Sequence, residues 1–72
     1  MTEYFVVHGK ILRHLFLYGE TRVLDLRNIA PGQVAAITVD LRKRGFIEVF
    51  SQDGLQFSKI TPLGEAQLFA CF

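Results

Sequence analysis

The sequence predicts a mainly α-helical domain that carries one small β-hairpin, and three observations support this fold class. Apolar residues recur at helical spacing over residues 4–18 and again in the run QVAAITVDLRKRG at residues 33–45. A single glycine, Gly45, separates the second run from a segment that alternates and is rich in β-prone residues. Asp53 and Gly54 lie between two β-prone runs, which is typical of a hairpin turn.

Length and composition favour one small cytoplasmic unit. The 72 residues, half of them hydrophobic, allow a single domain over residues 1–72 with its own core. The single Cys71 cannot form an internal disulfide, which favours a reducing compartment. No signal peptide is visible, and no apolar run approaches the ~20 residues of a membrane span, so we expect no membrane association.

The first two predicted helices lie before residue 30. Residues 4–18 place most apolar side chains on one arc of a helix, but Val6 and Leu17 fall in the polar arc. Gly19 is a natural stop. Residues 21–29 supply a second, short apolar face, for which Thr21 is the expected N-cap.

The third predicted helix covers residues 31–44 and has the clearest boundaries. Pro31 suits the first helical position, and Gly45 is expected to end the helix. Lys43 and Arg44 suit the negative, C-terminal end of the helix dipole.

A hairpin and a fourth helix follow. The strands are predicted as FIEVF at residues 46–50 and LQFSKI at residues 55–60. Thr61 is expected to cap the last helix, Pro62 to occupy its first position and Gly64 to weaken it. The order helix, helix, helix, strand, strand, helix is that of a helix-turn-helix with a wing.

The stretch VDLRKRGFIEV at residues 39–49, followed by a turn and ITPLGEAQL at residues 60–68, resembles the winged helix-turn-helix of MarR-like bacterial and phage regulators. In that family a recognition helix ends in Leu, basic residues and Gly, and the wing leads into a Thr-Pro-x-Gly helix start. The similarity covers roughly residues 20–68, and the matching residues are Leu41, Lys43, Arg44, Gly45, Phe46, Ile60, Thr61, Pro62 and Gly64. The resemblance implies a transcriptional regulator that binds duplex DNA, usually as a dimer, with its third helix in the major groove.

The helical wheel divides the third helix into a core side and a partner side. Its buried side is expected to centre on Val34, with Ile37 and Leu41. On the other side, glutamine can pair with adenine, and small apolar side chains can touch a thymine methyl group. The expected major-groove contacts are Gln33, Ala36, Val39 and Lys43. The expected phosphate contacts are Arg42, Arg44 and Lys59.

Two other interpretations of this face stay open. Ala35, Ala36 and Val39 can instead pack against another protein, in which case the chain is a winged-helix adaptor or inhibitor that does not bind DNA. The net charge of only +1 and the acidic wing tip at Asp53 favour this alternative. Small residues are also simply good helix formers on a solvated face.

The misplaced apolar residues of the first helix predict a homodimer. Together with the apolar C-terminal residues they can form one hydrophobic surface that suits a two-fold interface. The predicted interface residues are Val6, Leu17, Leu68, Phe69 and Phe72. The alternative is a crowded monomeric core in which the last residues fold back over the first helix.

No catalytic, metal or cofactor chemistry is expected. The carboxylates are scattered along the chain, and no glycine-rich phosphate loop is present. His8 and His14 lack the spacing of a metal-binding pair, and the wheel turns His8 toward the core. We therefore expect a binding protein and not an enzyme.

Overall fold

The computed structural model describes the backbone of residues 3–71 and the side chains of residues 6–70. This part of the chain is mainly helical with a small three-stranded antiparallel sheet, so the coarse fold prediction is confirmed. In chain order, the elements are α1 (Glu3–Tyr18), β1 (Thr21–Arg22), a 3₁₀ helix (Val23–Asn28), α2 (Val34–Lys43), β2 (Ile47–Gln52), β3 (Leu55–Ile60) and α3 (Pro62–Cys71).

The predicted hairpin is formed by β2 and β3. The two strands pair with Gln52 opposite Leu55, so that Asp53 and Gly54 make a two-residue turn. Their φ values of 53° and 77° are those of a type I′ turn, which Asp and Gly adopt more readily than most residues. The turn prediction is confirmed.

The predicted second helix, residues 21–29, is wrong at its start. Thr21 is not a helix cap, because it and the next residue form β1 and pair with Ser58 and Phe57 of β3. Only the 3₁₀ helix occupies the rest of the segment. The run is too short to offset the cost of nucleating an α-helix, and pairing with β3 draws its first residues into the sheet. The sheet order is therefore β1-β3-β2 instead of a lone hairpin.

The predicted third helix corresponds to α2, which begins three residues later than expected. Pro31 lies in a turn, and Gly32 after it has a φ of 76°, a value that a right-handed helix cannot contain. Gln33 is the N-cap residue, without a hydrogen bond from its side chain to the helix. The helix therefore runs from Val34 to Lys43.

Gly45 ends α2 as predicted, in a Schellman motif. Its φ is 78°, and its N–H donates to the carbonyl of Arg42 over 3.0 Å. The N–H of Phe46 donates to the carbonyl of Leu41, also over 3.0 Å. This pair of bonds satisfies the last helical carbonyls and turns the chain sharply into β2.

The start of α3 is hydrogen-bonded to the same turn. Thr61 caps α3, because its Oγ1 accepts from the N–H of Gly64 at 3.0 Å. The Thr61 hydroxyl donates to the carbonyl of Gly45 at 2.6 Å, and its N–H donates to the carbonyl of Phe46 at 3.0 Å. Pro62 is the first helical residue, so both predicted start signals are confirmed.

The core lies where α1 packs against α3 and β3, and where α2 packs against β2. Its buried apolar residues are Ile11, Leu12, Leu15, Leu26, Ala30, Ile37, Leu41, Ile47 and Leu68. Leu68, which was predicted to lie in a dimer interface, is therefore part of the core of the single chain. No helix of the described residues is long and apolar enough to cross a membrane.

Candidate nucleic-acid interface

One side of α2 is buried and the other is open, as its periodicity predicts. Ile37 and Leu41 are fully buried, and Val34 is half-buried. The residues of the open side, called the α2 face below, are Ala35, Ala36, Val39 and Lys43. With the edge of Asp40 they line a shallow depression, and the exposed Gln33 precedes them at the N-terminal end. Three small apolar side chains thus leave room for close approach to the helix backbone.

The end of α2 carries two exposed cations. Arg42 and Lys43 are exposed, and no carboxylate among the described residues lies within 4.0 Å of either charged group. Two side chains of this kind beside a surface of small residues provide positive charge at a place that a partner can reach.

Arg44 differs from these two because Asp40 holds it. Its Nε donates to Oδ2 of Asp40 over 2.8 Å, and Nε2 of His8 lies 2.9 Å from the same oxygen. His8 is buried, as the wheel predicts, so Asp40 joins α1 to α2. The partial burial of the Asp40 carboxyl disfavours its charged form, but the hydrogen bonds and charges of His8 and Arg44 outweigh this and lower the pKa of Asp40.

Lys59 is also paired. It lies directly opposite Glu48 in the register of β3 and β2, and its Nζ is 3.4 Å from the Glu48 Oε2. About half of each side chain is exposed, and such a pair contributes only about 0–1 kcal/mol. A phosphate group can therefore compete for Lys59.

Arg27 is a cation that the sequence analysis did not assign to the site. It is exposed in the 3₁₀ helix and has no ion pair within the described side chains. Together with Pro31 and Gly32 it lines a depression at the turn that leads into α2. A cation at a position of the short apolar face where an apolar residue is expected was the available sequence signal.

The residues predicted to form the dimer interface do not form one surface in the structure. Leu68 is only 7% exposed and belongs to the core, whereas Phe72 lies outside the described residues. Leu17 and Phe69 are 60% and 71% exposed, and the rings of Phe16 and Phe69 pack nearly perpendicular to each other with centroids 5.1 Å apart. Phe16, Leu17 and Phe69 are called the α1–α3 cluster below.

Val6 lies apart from the α1–α3 cluster. It is exposed on α1, three helical turns before Leu17, and the helical repeat places Lys10 and Arg13 between the two. The apolar surface is thus concentrated at the C-terminal end of α1 instead of following the whole helix.

Comparisons with known proteins do not assign this chain to a family. Neither the protein-family models, nor the curated proteins, nor the solved structures contain a match to this chain. Among the side chains that the structure describes, no three His, Cys, Asp or Glu residues lie close enough to hold a metal ion. The α2 face and the charges around it are therefore the features on which a function can be based.

Proposed function

We propose that this chain is a small winged-helix protein that binds duplex DNA through α2, as a transcriptional regulator of bacterial or phage type. The observation that carries the proposal is the exposed α2 face, which combines small residues with Arg42 and Lys43, two cations without an ion pair among the described residues. The major groove of B-DNA, about 12 Å wide, admits an α-helix, and small side chains allow the helix to approach closely.

The order of elements supports this proposal. In the proposed interpretation, the 3₁₀ helix, the turn at Gly32, α2 and the β2–β3 hairpin correspond to the two helices, the turn and the wing of a winged helix-turn-helix. The 3₁₀ helix would then correspond to the first helix of the helix-turn-helix, which crosses the DNA backbone, and Arg27 would contact a phosphate.

The cations of this surface differ in how readily they can contact a phosphate, because some of them are already in ion pairs. Arg42 and Lys43 can contact phosphates without breaking an ion pair to any described residue. Lys43, expected from the sequence to lie in the major groove, is assigned here to a phosphate because it is exposed at the end of α2 beside Arg42. Arg44 and Lys59 must first leave Asp40 and Glu48, which reduces their net contribution. Base contacts are assigned to the small and amide side chains of α2, since phosphate contacts position a protein without reading sequence.

Lys43→Ala is expected to weaken binding to duplex DNA severalfold at low salt. The loss of one phosphate contact should also reduce the slope of log affinity against log salt concentration by about 0.9. Fluorescence anisotropy with a labelled random-sequence duplex, at roughly 50 to 200 mM salt, measures both quantities.

Lys10→Ala is the matched control for that measurement. Lys10 is exposed on α1, two residues from His8, and therefore projects about 200° around the helix from the side that meets α2. Its removal should leave the salt slope unchanged. An equal effect of the two substitutions, or no binding even at low salt, would show that α2 is not a DNA-binding helix.

We also propose that the chain forms a two-fold homodimer through the α1–α3 cluster. Exposed aromatic and aliphatic side chains in one place are typical of an interaction surface, and a two-fold pair buries the same surface on both copies. A dimer would present two α2 helices to two half-sites of one DNA duplex.

Leu17→Glu is expected to convert the dimer to a monomer, because it places a charge in the buried apolar contact. Sedimentation velocity distinguishes the two states. Leu24→Glu is the control, since Leu24 is 59% exposed but lies in the 3₁₀ helix, outside the α1–α3 cluster. A wild-type chain that sediments as a monomer at the concentrations of the DNA titration would contradict the proposed dimer.

The second candidate function is a protein-binding module that does not bind DNA. It is favoured by the pairing of Arg44 and Lys59 with carboxylates and by the acidic hairpin tip at Asp53, all of which weaken the positive field of this surface. The α2 face would then pack against an apolar surface of another protein. The DNA titration separates the two candidates, because only the first requires salt-dependent binding that is sensitive to Lys43.

A further inference from the structure

A pocket of about 280 Å³ lies between the 3₁₀ helix, the start of α2 and the beginning of β3. Its apolar lining comes from Val23, Leu24, Val34 and Leu55, and its polar lining includes Arg27. No acidic side chain of the described residues lines it. Leu24 and Leu55 are 59% and 47% exposed, so the pocket opens to the surface through apolar groups.

In the described part of the chain, no strand pairs with the edge of β3 beside this pocket, where the 3₁₀ helix packs against β3 instead. β1 covers β3 only at Phe57 and Ser58 and is the outer strand on that side of the sheet. Within the described residues, Leu55 and Gln56 therefore pair with β2 alone and have no strand on their other side. An unpaired strand edge next to an apolar pocket is the arrangement by which sheets accept an extended peptide.

The charge available at the pocket is positive. Arg22, which also lines it, donates from Nε and Nη2 to the two carboxylate oxygens of Asp25 at 3.0 and 3.1 Å. Arg27 has no such partner among the described residues. A guanidinium without a carboxylate, next to apolar groups, favours a ligand that carries an anionic group close to an apolar one.

We propose that this pocket binds an extended peptide segment of a partner protein that carries an aliphatic residue and, two positions later, an acidic residue. The segment lies along β3 at Gln56, whose N–H and C=O point away from β2 and can pair with it; the aliphatic side chain of the segment fills the pocket, and its carboxylate reaches Arg27. Residues two apart in a strand project to the same face, about 6.6 Å from each other. The volume is large enough for one aliphatic side chain. This proposal does not use the α2 face, but it shares Arg27 with the proposed DNA interface, so a phosphate and the peptide carboxylate would compete for that residue.

The test compares two synthetic peptides that differ in one charge. The isotope-labelled wild-type chain is titrated with acetylated TVLTDT and with its neutral analogue TVLTNT, and backbone amide shifts are followed by NMR. TVLTDT should give saturable shifts at Leu55 and Gln56. TVLTNT should bind there roughly five- to tenfold more weakly, the effect of losing one charge-assisted hydrogen bond at a partly exposed site.

Two substitutions locate the contacts. Arg27→Gln should reduce the affinity for TVLTDT to that for TVLTNT, so that the two peptides become equal. Leu24→Ser should weaken both peptides alike, and Lys43→Ala on the α2 face should change neither. The proposal is overturned if wild-type chain shows no saturable shifts at Leu55 and Gln56, if it binds both peptides equally, or if Arg27→Gln still distinguishes them.

Discussion

Gly64→Ala is expected to lower the free energy of unfolding by about 3 kcal/mol or more, because no space exists for a Cβ at this position. A Cβ there would lie 2.0 Å from the carbonyl oxygen of Phe46 and 2.8 Å from Cγ1 of Ile60. The carbonyl cannot move aside freely, since it accepts the hydrogen bond from the N–H of Thr61. For a chain of this length, whose total stability is on the order of 4–11 kcal/mol, such a loss is a large share.

Urea denaturation followed by circular dichroism measures this effect. Ala66→Gly is the matched control, because it makes the opposite change at an exposed position of the same helix. It should cost only about 1 kcal/mol, the usual difference in helix propensity. If Gly64→Ala came within about 1 kcal/mol of wild type, the contact between α3 and the turn after α2 would not be as close as described.

Asp40→Asn is expected to cost roughly 1–3 kcal/mol at neutral pH, because the carboxylate accepts hydrogen bonds from both His8 and Arg44. The same substitution should change the acid dependence of stability. The folded-state pKa of Asp40 is lowered, so its charged form stabilises the fold at every pH above the ordinary aspartate pKa of about 3.9. That contribution is lost as the pH falls through about 4 toward the lowered folded-state value.

Urea titrations at several pH values from neutral to acid measure the acid dependence. The wild-type free energy of unfolding should fall more steeply below about pH 4 than that of Asp40→Asn, and the two curves should converge. Asp25→Asn is the control, since Asp25 pairs with Arg22 on the surface and both side chains are nearly half exposed. It should cost at most about 1 kcal/mol. Parallel curves for wild type and Asp40→Asn would contradict the assigned role.

Much of the candidate site follows from short-range rules. The amphipathic period of α2 predicted which of its residues are buried and which form the α2 face. The turn at Asp53 and Gly54 sets the register of the hairpin, and this register alone places Glu48 opposite Lys59. Asp40 and Arg44 are four residues apart on a helix, so their ion pair could have been predicted from their spacing.

The contacts that sequence reasoning missed join distant parts of the chain. Ser58 and Thr21 meet across 37 residues, which moves Thr21 from an expected helix cap into the sheet. His8 reaches Asp40 across 32 residues. Leu68 was assigned to a dimer surface because it is one of the apolar C-terminal residues, and only its packing against the rest of the core shows that it is buried.

The sequence by itself determined where the helices end and where the chain turns, because glycine, proline, threonine and aspartate act there through their own backbone preferences and immediate neighbours. Only the tertiary structure decided which of these residues also contact residues that are distant in the sequence. Gly64 illustrates the difference: helix propensity marks it as a weak point, yet the Phe46 carbonyl requires a residue without a Cβ. The carbonyl approaches α3 through a hydrogen bond between residues 46 and 61, a long-range contact that no local pattern encodes.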